Sequence, residues 1–138
     1  EAVIDYELFV RKSSKERVST KIRIANCYMM LEDYRGAEGA FYNLTEELKM
    51  EYRALVGSNI YSMNPALREE FHYDAFMGFG TVLSINVNYE EALVAFEFAQ
   101  FLRPKRPESY GKMAQIYKET GQEELYNLYQ DYEADFLK

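Results

Sequence analysis

Two segments of this chain share one order of large and small residues at a fixed separation. Phe76-x2-Phe79-Gly80-x2-Leu83 returns as Tyr110-x2-Met113-Ala114-x2-Tyr117, and 34 residues separate Gly80 from Ala114. Bulky residues at spacings of three and four line one face of a helix. The small residue in each copy marks where another helix comes near, because axes that approach to about 8–10 Å leave no room for long side chains. Tyr89-Glu90-Glu91-Ala92-x3-Phe96-x2-Ala99, closed by Pro104, describes that second helix.

An earlier copy is less regular. Ile24-Ala25-x2-Tyr28 keeps the bulky, small, bulky order, but Lys21 stands where the later copies have an aromatic. Tyr34-x2-Ala37-x3-Phe41-x2-Leu44 supplies its partner, giving a hairpin over about 18–48 that turns at Glu32-Asp33. Ahead of it, Val3, Tyr6, Leu8, Phe9 and Val10 predict a short helix stopped at Ser13-Ser14. From Ala25 to Gly80 is 55 residues, not a whole number of repeats, so 49–64 reads as an irregular segment. Leu44, Leu48, Tyr52, Leu55 and Val56 nevertheless carry helical spacing to about Val56. Asn64-Pro65 is a restart signal, with Asn as N-cap and Pro in the first helical position. It predicts a helix from Pro65 to Ile85, the alternative being a separate short helix at 65–71. The second hairpin then covers about 65–102 and the third about 107–137, with Gly121 in a left-handed C-cap.

The three copies resemble the tetratricopeptide repeat, whose 34-residue helix–turn–helix signature has this order of large and small positions. The resemblance implies an all-α fold: a right-handed superhelical stack of antiparallel helix hairpins, here one domain over 1–138. The last segment departs from the pattern, since Tyr126 and Gln130 stand where Ala92 and Phe96 stood one repeat earlier. Its stripe of Leu125, Leu128, Tyr129, Tyr132 and Phe136 predicts an atypical C-terminal capping helix. Ala25, Gly80 and Ala114 on first helices, and Ala37, Ala92 and Ala99 on second helices, are the expected crossing points. Leucine at Gly80 or Ala92 should overpack them, at a cost of roughly 1–3 kcal/mol.

Composition narrows the function. Hydrophobic residues make up 48% and charged residues 28%, which suits an ordered globular protein. The net charge of −7 argues against a nucleic-acid partner, whose phosphates need clustered Lys and Arg. Arg103-Pro104-Lys105-Arg106 reads as a solvated connector. No apolar run reaches the roughly 18 residues of a membrane span. The chain opens at Glu1-Ala2-Val3-Ile4-Asp5, without Met or a basic-then-apolar leader, so a trimmed form of a longer gene product is expected. Cys27, the single cysteine, is expected as a buried structural thiol, and a cytoplasmic protein is the reading, with the periplasm left open.

Catalytic signals are absent. His72 is the only histidine, with no Cys or second His at metal-ligand spacing, and it reads as structural or exposed. No phosphate-binding glycine motif is present; Gly78-Phe79-Gly80 falls within a helical pattern. Carboxylate pairs such as Glu46-Glu47 and Glu90-Glu91 lie at helix starts or outer faces, where acids favour the dipole or solvent. The reading is a non-enzyme with no cofactor and no metal.

In proteins of the resembled family, first helices line a concave groove that holds an extended or helical segment of another protein. Residues flanking the packing stripe are the candidates here. They are Ile22, Arg23, Asn26, Met29 and Met30 on the first hairpin, and Asp74, Met77, Gly78, Thr81 and Ser84 on the second. Glu108, Gly111, Lys112, Gln115 and Lys118 complete the set on the third. Gly78 is expected to leave an open spot on this wall. Asn26 stands where some members carry a peptide-gripping asparagine. Ile22, Asp74 and Met77 replace the basic clamp for a C-terminal carboxylate, which disfavours a chaperone-tail co-adaptor. Charge reversal at Arg23 or Lys112 should weaken partner binding with little change in thermal stability. The function expected is a scaffold or adaptor module. The alternative is a small acidic chaperone of the kind found in bacterial secretion systems, shielding an apolar segment of an exported protein. With 13 tyrosines and no tryptophan, association of two copies through the Tyr-rich last helix is a further expectation.

Overall fold

The computed structural model describes the backbone of residues 2–57, 59 and 70–137, and the side chains of 16–54, 57, 59 and 71–137. Six helices and no strand occur among the described residues: α1 (Ala2–Met30), α2 (Tyr34–Val56), α3 (Glu70–Ile85), α4 (Tyr89–Leu102), α5 (Glu108–Glu119) and α6 (Glu123–Leu137). Each helix packs on the next, which pairs them as hairpins, and first helices also meet, α1 with α3 and α3 with α5. The result is an all-helical stack with close helix–helix packing.

The hairpins close in the same way. At the ends of α1, α3 and α5, the Asp33, Asn88 and Gln122 amides donate to the carbonyls of Tyr28, Leu83 and Tyr117, at 2.9, 2.8 and 2.8 Å. The residue before each amide is left-handed: Glu32 at φ 59°, Val87 at 65° and Gly121 at 75°. This six-to-one bond satisfies carbonyls that the helix end would otherwise orphan. Gly121 takes the conformation expected of it, and 34 residues earlier Val87 is held in the same one without glycine's freedom. Asp33 then caps α2, its carboxylate accepting from the Gly36 amide at 3.0 Å. In the next hairpin Asn86 donates to Glu38 at 3.1 Å and to the Tyr34 carbonyl at 3.3 Å, which ties its turn to the start of α2.

The core forms where the small residues stand. Ala25, Ala37, Ala92, Ala99 and Ala114 are all buried, and Gly80 backs directly onto the ring of Phe96 from α4. One apolar cluster joins Phe41, Val82, Leu83, Phe96, Met113 and Ile116; a second joins Val18, Leu44, Leu48, Tyr52, Phe76, Phe98 and Leu102. At the rigid corner after α4, Tyr110 donates to the Pro104 carbonyl and accepts from Gln100, both at 3.0 Å. Lys21, the irregular member of the first copy, is accounted for by an ion pair with Glu47 of α2 at 2.7 Å.

Four expectations are corrected. α1 runs unbroken through Ser13-Ser14, because serine is tolerated within a helix and no glycine or proline interrupts residues 2–30. Of the segment 49–64 read as irregular, 49–56 belongs to α2, as the helical spacing to Val56 anticipated, and Gly57 ends that helix at φ 80° with its amide on the Arg53 carbonyl at 2.8 Å. Cys27 is exposed rather than buried. It lies on α1 beside Ile24 and Tyr28, which remain partly exposed although the Tyr28 ring reaches Gly36 of α2, while Ala25 turns inward. Finally, the open spot expected at Gly78 is closed: a Cβ there would lie 2.5 Å from the Phe41 ring. The restart at Asn64-Pro65 and the separate helix at 65–71 fall outside the described residues, except that 70 and 71 belong to α3.

At the other end of the stack, α6 lays Tyr129, Tyr132 and Phe136 around the Tyr110 ring, at centroid distances of 6.3, 5.8 and 5.1 Å. None of its side chains is fully buried, and Leu128, Tyr132 and Phe136 keep part of their surface in solvent.

Candidate functional site

The first helices α3 and α5 meet along a shallow trough with a cavity of about 250 Å³. Thr81, Ser84 and Ile85 form one wall, Lys112, Gln115, Ile116 and Glu119 the other, and Tyr89 enters from the start of α4. The four α5 residues are spaced by three, one and three, which places them on a single helix face. Small side chains on α3 keep the trough open. The hydroxyls of Thr81 and Ser84 are already satisfied by their own helix, donating to the Met77 and Gly80 carbonyls at 2.8 and 3.0 Å. They therefore present mainly carbon to the trough. Ile116 is buried beneath it, and Ile85 and Tyr89 add apolar surface. Lys112 and Glu119 bring opposite charges to its two ends, about 10 Å apart along the helix. Gln115 stands between and donates to Glu119 at 3.4 Å.

Four of the residues proposed from sequence, Thr81, Ser84, Lys112 and Gln115, thus line one cavity. The rest are distributed otherwise. On α1, Arg23 lies with Glu16, Ser19 and Thr20 around a separate surface depression, and Asn26 and Met30 are exposed. Ile22 and Met29 pack on the two core clusters, and Met77 packs on both. Asp74 sits at the surface of α3, where partial burial raises its carboxyl above the ordinary range. Gly78 faces Phe41, as described above. Glu108 accepts from the Tyr73 hydroxyl at 3.5 Å; burial first, and then this carboxylate, push that phenol above its usual range. Gly111 turns toward Glu133 of α6, and Lys118 lies 5.8 Å from the Tyr126 ring centroid, also toward α6.

Ile85, Tyr89, Ile116 and Glu119 were not among the candidates. Two of them were reachable by extending the same stripes: Thr81 and Ser84 lead to Ile85, and Lys112 and Gln115 lead to Glu119. Tyr89, the first residue of the second-helix pattern, both packs on the core and lines the trough.

His72 is buried and shares a hydrogen bond between its Nδ1 and the Tyr52 hydroxyl. Burial, helped by the positive charge of Arg103, lowers its pKa to about 4, so the ring is neutral near pH 7. Among the described residues no three His, Cys, Asp or Glu side chains are grouped to hold a metal ion, and no helix is long and apolar enough to cross a membrane.

No family model matches this sequence, and no curated protein does. A solved structure titled "Crystal structure of MamA" is similar to the chain, with a TM-score of 0.47 and 18% identity over 92% of this chain and 82% of that one.

Proposed function

We propose that the chain is a non-catalytic protein-interaction module, a helical repeat of the tetratricopeptide kind, that holds an extended or helical segment of a partner protein along the trough between α3 and α5. The observation that carries this reading is the make-up of the trough itself, with apolar carbon on its floor, Lys112 at one end and Glu119 at the other. Its length of about 10 Å matches three residues of an extended peptide or two turns of a helix. A partner segment with an acidic group over Lys112, an aliphatic residue over Ile85 and Ile116, and a basic or amide group over Glu119 satisfies all of it. Opposite charges at the ends favour the scaffold or adaptor role over shielding of a wholly apolar export segment. They fix the direction of a bound peptide, which shielding does not require.

The test begins with peptides selected from a random displayed library against the immobilised protein, their affinities then measured by calorimetry. Lys112→Glu should weaken the selected peptides about tenfold, a loss of about 1.4 kcal/mol, and leave the melting temperature unchanged. Thr81→Arg should block the trough. Selected peptides that bind both variants as well as the parent protein would refute the assignment.

A further inference from the structure

A second cavity, of about 240 Å³, lies between the second helices α2 and α4. Phe76 and Phe79 of α3 line it together with Ala95, and these three are buried, so they form its floor. Tyr42 of α2 and Val94 of α4 form its walls, 53% and 56% exposed. Glu46, Lys49 and Glu91 stand around its rim. On α3, Phe79 and Thr81 are two residues apart, about 200° around the helix. The slot therefore opens on the side of the stack away from the α3–α5 trough.

Lys49 shows how this slot treats a cation. Its ammonium lies 5.9 Å from the Phe76 ring centroid and 3.6 Å from the Glu46 carboxylate, so ring face and acid act on one charge. Glu91, on the opposite helix, has no ion-pair partner among the described residues. An aromatic floor, two half-exposed apolar walls and carboxylates from two helices suit a group with an aliphatic stem and a positive head. The volume is below the roughly 300 Å³ at which pockets begin to hold whole small molecules, and is sized for one long side chain.

We propose that this slot is a second docking point, taking a single long basic side chain, arginine for preference, from a partner protein. Arginine is favoured over lysine because its planar guanidinium stacks on Tyr42 or Phe79 while its donors reach Glu91. Lys49 holds one end of the slot as an internal competitor. The proposal is independent of the trough, which shares no lining residue with the slot.

Heteronuclear NMR titration with N-acetyl-arginine methylamide tests it, with N-acetyl-norleucine methylamide as the uncharged probe of similar stem. The arginine probe should shift the resonances of Tyr42, Phe79 and Val94, and the norleucine probe should not. A Glu46→Gln/Glu91→Gln variant should weaken the arginine probe about tenfold. Lys49→Met should strengthen it, and Lys112→Glu should leave it unchanged. Absence of shifts at the slot, equal shifts from norleucine, or undiminished binding by the double variant would overturn the proposal. Circular dichroism of each variant separates loss of the slot from loss of the fold.

Discussion

Alanine at Gly80 should destabilise this protein, and alanine at Gly39 should stabilise it, although both glycines lie within helices. A Cβ built on Gly80 meets three atoms of the Phe96 ring at 2.6–2.7 Å, whereas one built on Gly39 meets nothing within 4 Å. Normal carbon contacts fall near 3.5–4.0 Å, so α3 and α4 must separate by about 1 Å or the ring must turn. Phe96 is fully buried, so its ring cannot swing out into solvent. Overpacking of this kind costs about 1–3 kcal/mol. Replacing a helical glycine with alanine returns roughly 0.5–1 kcal/mol at either site. The net expectation is a loss centred on about 1 kcal/mol and reaching about 2.5 kcal/mol for Gly80→Ala, and a gain of about 0.5–1 kcal/mol for Gly39→Ala.

Equilibrium urea unfolding reads both. With a slope near 2 kcal/mol per molar urea, Gly80→Ala should lower the midpoint by about 0.5 M, at most about 1.2 M, and Gly39→Ala should raise it by about 0.25–0.5 M. Gly78→Ala, whose Cβ would meet the Phe41 ring at 2.5 Å, should follow Gly80→Ala in sign. Trimming Phe96 to leucine in the Gly80→Ala background should recover part of the loss beyond additivity, since the two sites touch. If Gly80→Ala raised the midpoint as Gly39→Ala does, close approach at the small residues would not be what orders this stack.

Three other outcomes are expected. Val87 is 65% exposed yet holds φ 65°, so Val87→Gly should stabilise the protein by about 1 kcal/mol in the same urea assay, as relief of strain exceeds lost contacts. Ser109 is buried with its Oγ unpaired among the described residues, so Ser109→Ala should be neutral or raise the melting temperature. The pKa of His72 is lowered to about 4 from 6.5 by burial and by Arg103, so the unfolded chain takes up its proton first as pH falls. This contribution to stability is complete above about pH 6.5, declines as pH drops to about 4, and reaches up to roughly 3 kcal/mol. Unfolding of the parent protein and of His72→Gln across that range should show a slope in the first that is reduced in the second.

The legible parts of the fold were those fixed by local chemistry repeated at one spacing. Alanine or glycine between bulky residues announces a crossing wherever it occurs, and all six marked positions are buried or backed by a neighbouring helix. The turns at Glu32-Asp33 and Gly121 were both legible, but the left-handed conformation was legible only where glycine advertised it, as at Gly121. Glu32 and Val87 adopt the same left-handed conformation under tertiary constraint, and no composition signal betrays that. Cys27 was misjudged because a helix-packing pattern states which residues can face a neighbour, not how fully that neighbour covers them, and Ile24 and Tyr28 beside it stay partly exposed. The same ambiguity affected the trough. Gly111 and Gln115 lie four apart on one helix, but Gly111 turns toward α6 and Gln115 toward α3. Only the lateral offset between helices decides which stripe a groove inherits.

That offset also separates the two candidate sites. α3 and α4 contribute to both: α3 presents Thr81, Ser84 and Ile85 to the trough and Phe76 and Phe79 to the slot, and α4 presents Tyr89 to the trough and Glu91, Val94 and Ala95 to the slot. The packing of α3 on α2 and α4 is fixed by Gly78 against Phe41 and by Gly80 against Phe96, between its two faces. An overpacking change at Gly80 that moves α3 by about 1 Å should therefore disturb both sites together. Lys112→Glu and Glu91→Gln should each disturb one alone. Loss of both binding activities in Gly80→Ala at temperatures where the protein remains folded would identify the α3–α4 contact at Gly80 and Phe96 as their common support. Retention of either activity would show that its site does not depend on the spacing of α3 and α4 at Gly80.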